Sequence, residues 1–233
     1  KYLKDLKSFK TKELLQQASG LSDLKVAEVF NPNHEPTLEN LFETNRLLGN
    51  NLEALNYLNK LVNIDKKYLI DRSYHILAKL PERELIGCQD LYQSAEQGDK
   101  TAIYEISSSR FTDYNSSEKC KKYELKLNIN TAKMRLEEYD TNIRSWERKY
   151  NFKSSYEAEE TFSRANWKTD KNDEFYKNGK NYIQMRFTRG ALKQLLGIRE
   201  GTCRDINSYS GWGSNIQWIK YRWGYYNNVC PKS

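Results

Sequence analysis

Eight residues constrain this chain most: Leu125, Ile129, Ala132, Leu136, Tyr139, Ile143, Trp146 and Tyr150 recur at alternating steps of four and three. That spacing is the seam of a heptad pattern, one apolar stripe along a helix. Neither Pro nor Gly interrupts residues 118–150. The spacing therefore predicts a single helix over 118–150, about 50 Å long at 1.5 Å per residue, longer than a small domain is wide. Such a helix braces other parts of the chain or offers its stripe to a partner. Tyr and Trp are unusual seam residues for a parallel dimer. Packing within the chain is therefore the expected use, with a homo-oligomer through 125–150 as the other reading.

Upstream, residues 1–110 read as a body of short helices. Leu3, Leu6, Phe9 and Leu14 open an apolar pattern, which Asn31–Pro32–Asn33–His34–Glu35–Pro36 breaks. Thr37 then reads as an N-cap before Leu38, Leu41 and Phe42, with Asn40 where a capping box would place Glu or Gln. Leu52, Leu55, Leu58 and Leu61 follow at near-helical spacing, and a further segment with Tyr68, Leu69, Leu77 and Leu80 runs up to Pro81. Next comes Ser94–Ala95–Glu96–Gln97–Gly98–Asp99–Lys100–Thr101–Ala102–Ile103–Tyr104. This Ala-Glu-Gln-Gly-Asp turn followed by Ala resembles one copy of a Sel1-type or tetratricopeptide-type helical repeat. The resemblance covers these residues alone. It implies two antiparallel helices closed by small residues around a Gly turn and, in stacked copies, a surface that holds other proteins.

Charge is distributed unevenly. Residues 1–110 carry 15 basic and 16 acidic side chains, residues 111–177 carry 14 and 13, and residues 178–233 carry 9 and 2. The whole excess of +7 thus lies in the last quarter, which also holds Trp212, Trp218 and Trp223. Three segments follow: a helical body at 1–110, the long helix and a connector at 111–177, and a basic, aromatic-rich module at 178–233. A helix over 155–165 bearing Tyr156 and Phe162, then a loop at 168–179, make up the connector. In the module, Tyr182–Thr188 alternates with period two, placing Ile183, Met185 and Phe187 on one face, which predicts a half-buried strand. Thr188 would cap a short helix from Gly190 that Gly197 ends in a left-handed conformation. Residues 216–226 alternate again. The expected fold class is mainly α, a helical body with a long helix, plus a small C-terminal α+β module.

Known catalytic patterns are missing. The chain contains no GxxxxGK[ST], HExxH, GxSxG or CxxC motif, so nucleotide, zincin, serine-hydrolase and zinc-ribbon chemistry have no sequence support. Asp170–Glu174 begins like a calcium loop but meets Phe175 where Gly is required and Asn181 where Glu is expected. No metal site and no cofactor are expected. Of the two histidines, His34 reads as an exposed turn residue and His75 as a surface residue four positions after Asp71. The clustered carboxylates Glu157, Glu159, Glu160, Asp170 and Asp173 read as a solvated face. The four cysteines, Cys88, Cys120, Cys203 and Cys230, suggest two disulfides and an extracytoplasmic protein, periplasmic or secreted. Of three pairings, Cys203–Cys230 is favoured because both flank the Gly-rich C-terminal region; closing that loop stabilises by about 3 kcal/mol on the chain-entropy model. No run approaches the roughly 18 to 20 apolar residues of a membrane span, and the chain opens at Lys1, which fits either a processed mature form or a truncated chain.

Guanidinium and ammonium groups neutralise phosphate, sulfate or carboxylate groups, and flat rings stack on bases or sugars at about 1 to 3 kcal/mol per base. The expected ligand face is accordingly Arg186, Arg189, Lys193, Arg204, Trp212, Trp218, Lys220 and Arg222. The function this supports is an exported interaction protein whose C-terminal module, positioned by a helical scaffold, binds another protein or an anionic or glycan polymer, nucleic acid included. Catalysis is not the expectation. The alternative is a secreted effector or toxin with a small hydrolase or nuclease in that module, although residues 178–233 hold only Glu200 and Asp205 as acids and no His.

Overall fold

The computed structural model describes residues 20–107, 116–154, 157–158, 161, 174–207 and 230. It is mainly helical, and among the described residues there is no β-strand. The chain divides into two compact units, one built from residues 1–94 and 119–125, the other from 95–118 and 126–233.

In the first unit, α1 spans residues 20–30, α2 Glu35–Leu47, α3 Asn51–Ile64, α4 Leu69–Lys79 and α5 Glu84–Glu96, whose last two residues belong to the second unit. The N-cap of α2 is His34 and not Thr37. Pro36 sits in the first turn, where a missing N–H costs nothing, so the helix begins earlier than an oxygen-bearing cap would suggest. Thr37 is buried inside it, and its Oγ1 shares a 2.8 Å hydrogen bond with His34 Nδ1.

Helix α3 buries Leu55, Leu58 and Leu61 as their spacing predicts, while Leu52 faces solvent. Leu58 and Leu61 pack with Leu38 and Leu41 of α2 and with Leu69, and Leu21 and Leu24 of α1 lie against that cluster. His75 is not on the surface. Its ring is buried, its Nε2 donates to the Asn51 carbonyl at 2.8 Å, and it stands edge-on to Phe42. Gly87 lets α5 approach α4 closely, since a Cβ there would fall 2.9 Å from Ile76 Cγ2. A short helix α7, Ser116–Lys121, brings Cys120 to Cys88 of α5, and the two form a disulfide. Lys119 Nζ donates to the Leu77 carbonyl, and Lys122 pairs with Glu84.

In the second unit α6 runs Lys100–Ser107 and α8 Ile129–Lys149. The helix expected over 118–150 is thus shorter, about 32 Å from its 21 residues. Glu124 adopts a positive φ of 49° and Asn128 an extended conformation. The Asn128 side chain accepts from the backbone N–H groups of Asn130 and Thr131, an N-cap that a count of apolar spacing does not register. Leu125 precedes the helix. Ala132, Leu136, Tyr139 and Ile143 of the stripe are buried, so much of the seam is covered from within the chain.

Helix α9 spans Glu174–Leu195 and α10 Thr202–Asn207. The strand expected at 182–188 is therefore helix, and residues 174–179 of the expected loop belong to it too. Tyr182, Ile183, Arg186, Phe187, Gly190 and Ala191 are all buried along one side of α9. Over seven residues a period of two cannot be separated from that helical face once a buried Arg is read as polar. Thr188 is interior to the helix and its hydroxyl donates to the Gln184 carbonyl. Gly197 does end the segment in a left-handed conformation, with φ at 71°. The strand expected at 216–226 lies outside the described residues, as do Tyr156, Phe162 and the opening pattern from Leu3 to Leu14. Tyr182, Ile183 and Phe187 form the core of this unit with Ile143, Ala158 and Ile206. A second disulfide joins Cys203 of α10 to Cys230.

Candidate functional site

Three of the cations assigned to the ligand face share a destination. Arg186, Arg189 and Lys193 lie on one side of α9, and all three reach Asp205 of α10. Arg189 Nε is 2.7 Å from Asp205 Oδ2 and Lys193 Nζ is 3.2 Å from the same oxygen, while Arg189 Nη2 and Arg186 Nε approach Oδ1. Arg189 Nη1 also contacts Asp140 of α8 at 2.7 Å, and Arg186 Nη2 donates to the Arg204 carbonyl at 3.4 Å. Gly190 makes the approach of α10 to α9 possible, for a Cβ there would fall 2.8 Å from Ile206 Cγ1 and 3.1 Å from the Ile206 backbone nitrogen. Burial opposes the Arg189 charge, yet the Asp205 and Asp140 carboxylates hold its pKa above the ordinary arginine value.

The fold therefore turns Arg186, Arg189 and Lys193 inward. The Arg186 side chain is 1% exposed and the other two about 13% and 15%. Buried charges of this kind must be paired to be tolerated, and Asp205 supplies a partner to all three. Arg204 is exposed. Trp212, Trp218, Lys220 and Arg222 lie outside the described residues.

A pocket of about 240 Å³ opens elsewhere in the same unit. Its floor is the turn between α5 and α6. Gly98 takes a φ of 86° there, and Asp99 caps α6 by accepting from Ala102 N–H at 2.8 Å. From α8 come Arg135, Glu138, Tyr139 and Asn142, one face at steps of three, one and three; Met185 of α9 adds an apolar wall. The Tyr139 hydroxyl donates to the Gly98 carbonyl at 2.8 Å and fixes the turn against α8. Burial, then the charges of Asp99 and Glu138, push the Tyr139 phenol well above its ordinary pKa, so it stays a protonated donor. Arg135 Nη1 binds Glu138 Oε2 at 2.7 Å. Three further polar groups line the cavity, the Lys100 ammonium and the Gln97 and Asn142 amides. The structure assigns no hydrogen-bond or ion-pair partner to any of them among the described residues.

The lining carries one cation without a partner among the described residues, a second cation half-used by a carboxylate, and amides able both to donate and to accept. Among the described residues no group of three or more His, Cys, Asp or Glu side chains gathers as a metal site. Sequence reasoning singled out Gln97, Gly98 and Lys100 only as a repeat-like turn and missed the α8 residues. Their signal was a polar line at Arg135, Glu138 and Asn142 beside the apolar stripe, visible only once Tyr139 is known to face the turn. The chain matches no known family model, no curated protein and no solved structure.

Proposed function

We propose that this chain is a non-catalytic interaction protein that holds an anionic or glycan-bearing partner, with the Gly98 pocket as its contact. One observation carries the reading: Lys100 lines a polar pocket beside the Gln97 and Asn142 amides, and none of the three has a partner among the described residues. An ammonium and two amides left open at a half-exposed rim favour a ligand that brings oxygen acceptors. The resemblance of residues 94–104 to a helical repeat, a family that presents surfaces to other proteins, supports the same reading. So does the +7 charge, which raises the local concentration of anionic partners.

Two disulfides support an oxidising, extracytoplasmic setting, and no helix among the described residues is long and apolar enough to cross a membrane. Arg204, Trp212, Trp218, Lys220 and Arg222 are proposed as a second contact region on the strength of their composition. Equilibrium binding of the full chain to a carboxylated and a sulfated glycan, across a salt series, tests the proposal. Lys100→Met is expected to weaken binding at least tenfold; unchanged affinity in Lys100→Met and in Trp218→Ala alike refutes it.

A further inference from the structure

The donor and acceptor inventory of the pocket is more selective than a general affinity for anions. Lys100 can only donate, and so can the arms of Arg135 not bound to Glu138. Glu138, ionised, can only accept. Gln97 and Asn142 do both. A bare anion such as sulfate or acetate satisfies Lys100 and Arg135 but meets the Glu138 carboxylate as a like charge. A neutral sugar satisfies Glu138 and the amides and leaves the Lys100 ammonium without a counter-charge. The complement to the full set is a molecule that carries both a carboxylate and several hydroxyls.

Size and walls narrow this further. The volume of about 240 Å³ lies just below the roughly 300 to 1,000 Å³ of clefts for drug-sized ligands, room for one ring and not an oligomer. Met185 and the Tyr139 ring supply an apolar surface for the C–H face of a pyranose. The rim is open: the Arg135 and Glu138 side chains are 39% and 57% exposed, so a ring attached to a longer glycan can enter while the rest of the polymer stays in water.

We infer that the Gly98 pocket is a subsite for one acidic monosaccharide unit of a glycan, a uronic acid, with its carboxylate at Lys100 and Arg135 and its hydroxyls at Glu138, Asn142 and Gln97. This rests on the binding reading above and names its ligand. Gly98 suits the turn beneath this site: a Cβ there would stand 3.2 Å from Arg135 Cδ, on a backbone conformation that side chains rarely adopt.

Saturation-transfer NMR and titration calorimetry on the full chain decide the matter, with four probes: methyl glucuronide, methyl glucoside, acetate and glutamate. Methyl glucuronide is expected to bind at least tenfold more tightly than either methyl glucoside or acetate. Lys100→Met is expected to reduce that binding at least tenfold, and Asn142→Ala to reduce it severalfold, with the melting temperature of each variant confirming that it is folded. Equal binding of acetate and the glucuronide, both lost in Lys100→Met, overturns the sugar inference while leaving the anion-binding proposal standing. Tighter binding of glutamate overturns it in favour of a zwitterion. Binding of none of the four probes, or glucuronide binding indifferent to Lys100→Met, overturns the assignment of this pocket altogether.

Discussion

Arg186 Nε stands 3.4 Å from Asp205 Oδ1, with the two side chains 1% and 2% exposed. The pair is part of a larger arrangement in which a single carboxylate serves three cations, so the two ends of the contact are not equivalent. Removing Asp205 takes the shared carboxylate from Arg186, Arg189 and Lys193, leaving Asp140 on Arg189 and the Arg204 carbonyl on Arg186, and breaking a buried pair in this way costs about 3 to 5 kcal/mol. Asp205→Ala is expected to lower unfolding stability by about that amount in urea. Arg186→Met, which replaces one cation by an apolar chain of similar length, is expected to cost less. A loss below about 1 kcal/mol in Asp205→Ala would show that the arrangement contributes little.

Gly190 is the second test of the same contact. A methyl group there has the Ile206 side chain at 2.8 Å, Asp205 Cβ at 3.0 Å and the Ile206 backbone nitrogen at 3.1 Å. Overpacking of this kind costs about 1 to 3 kcal/mol, against the roughly 1 kcal/mol that Ala gains over Gly in a helix interior. The expected outcome for Gly190→Ala is a net loss of stability by thermal melting. A rise in melting temperature would mean that α10 yields without cost.

Asn128 sets the start of α8 by accepting from two backbone N–H groups, at 3.1 and 3.2 Å. Asn128→Ala is expected to cost about 1 kcal/mol, and Asn128→Asp to leave stability nearly unchanged. Urea unfolding of the two variants side by side distinguishes loss of the cap from loss of any other Asn128 contact.

Acid should weaken the first unit through Glu84. Its hydrogen bond to Lys122 holds the carboxyl below the ordinary glutamate value of 4.5, although burial works the other way. A carboxyl with a lower pKa folded than unfolded contributes stability that is present above the unfolded value and lost as pH falls through the folded one. Asp90 acts with the opposite sign: burial raises its pKa in spite of the two contacts from Arg72 at 2.7 Å, so its contribution is largest in acid and declines as pH rises. Melting temperature followed from pH 6 down to pH 3 is expected to fall less steeply in Glu84→Gln than in the parent protein. Identical slopes would remove Glu84 from the account.

The helical character of the chain was legible from spacing alone because Leu55, Leu58 and Leu61, like Ala132, Leu136, Tyr139 and Ile143, are apolar residues buried on one face. What escaped was set by polar groups. Asn128 begins one helix and His34 another through capping positions that apolar periodicity ignores. Arg186 made the inner face of α9 look like the outer face of a strand, since nothing local indicates that a carboxylate 19 residues away will neutralise it. The pocket was hidden for a related reason: Gly98 and Tyr139 are 41 positions apart, and nothing local indicates that their hydrogen bond will hold the turn against α8.

The Cys88–Cys120 bridge bears on how this protein can be cut. Its 32-residue span leaves and re-enters the first unit, because residues 119–125 belong with 1–94. A fragment stopped at Ser94 would carry Cys88 as a lone thiol, without Lys119 on the Leu77 carbonyl or Lys122 on Glu84. Such a piece would be prone to intermolecular disulfides, and its behaviour would say little about the same residues in the intact chain.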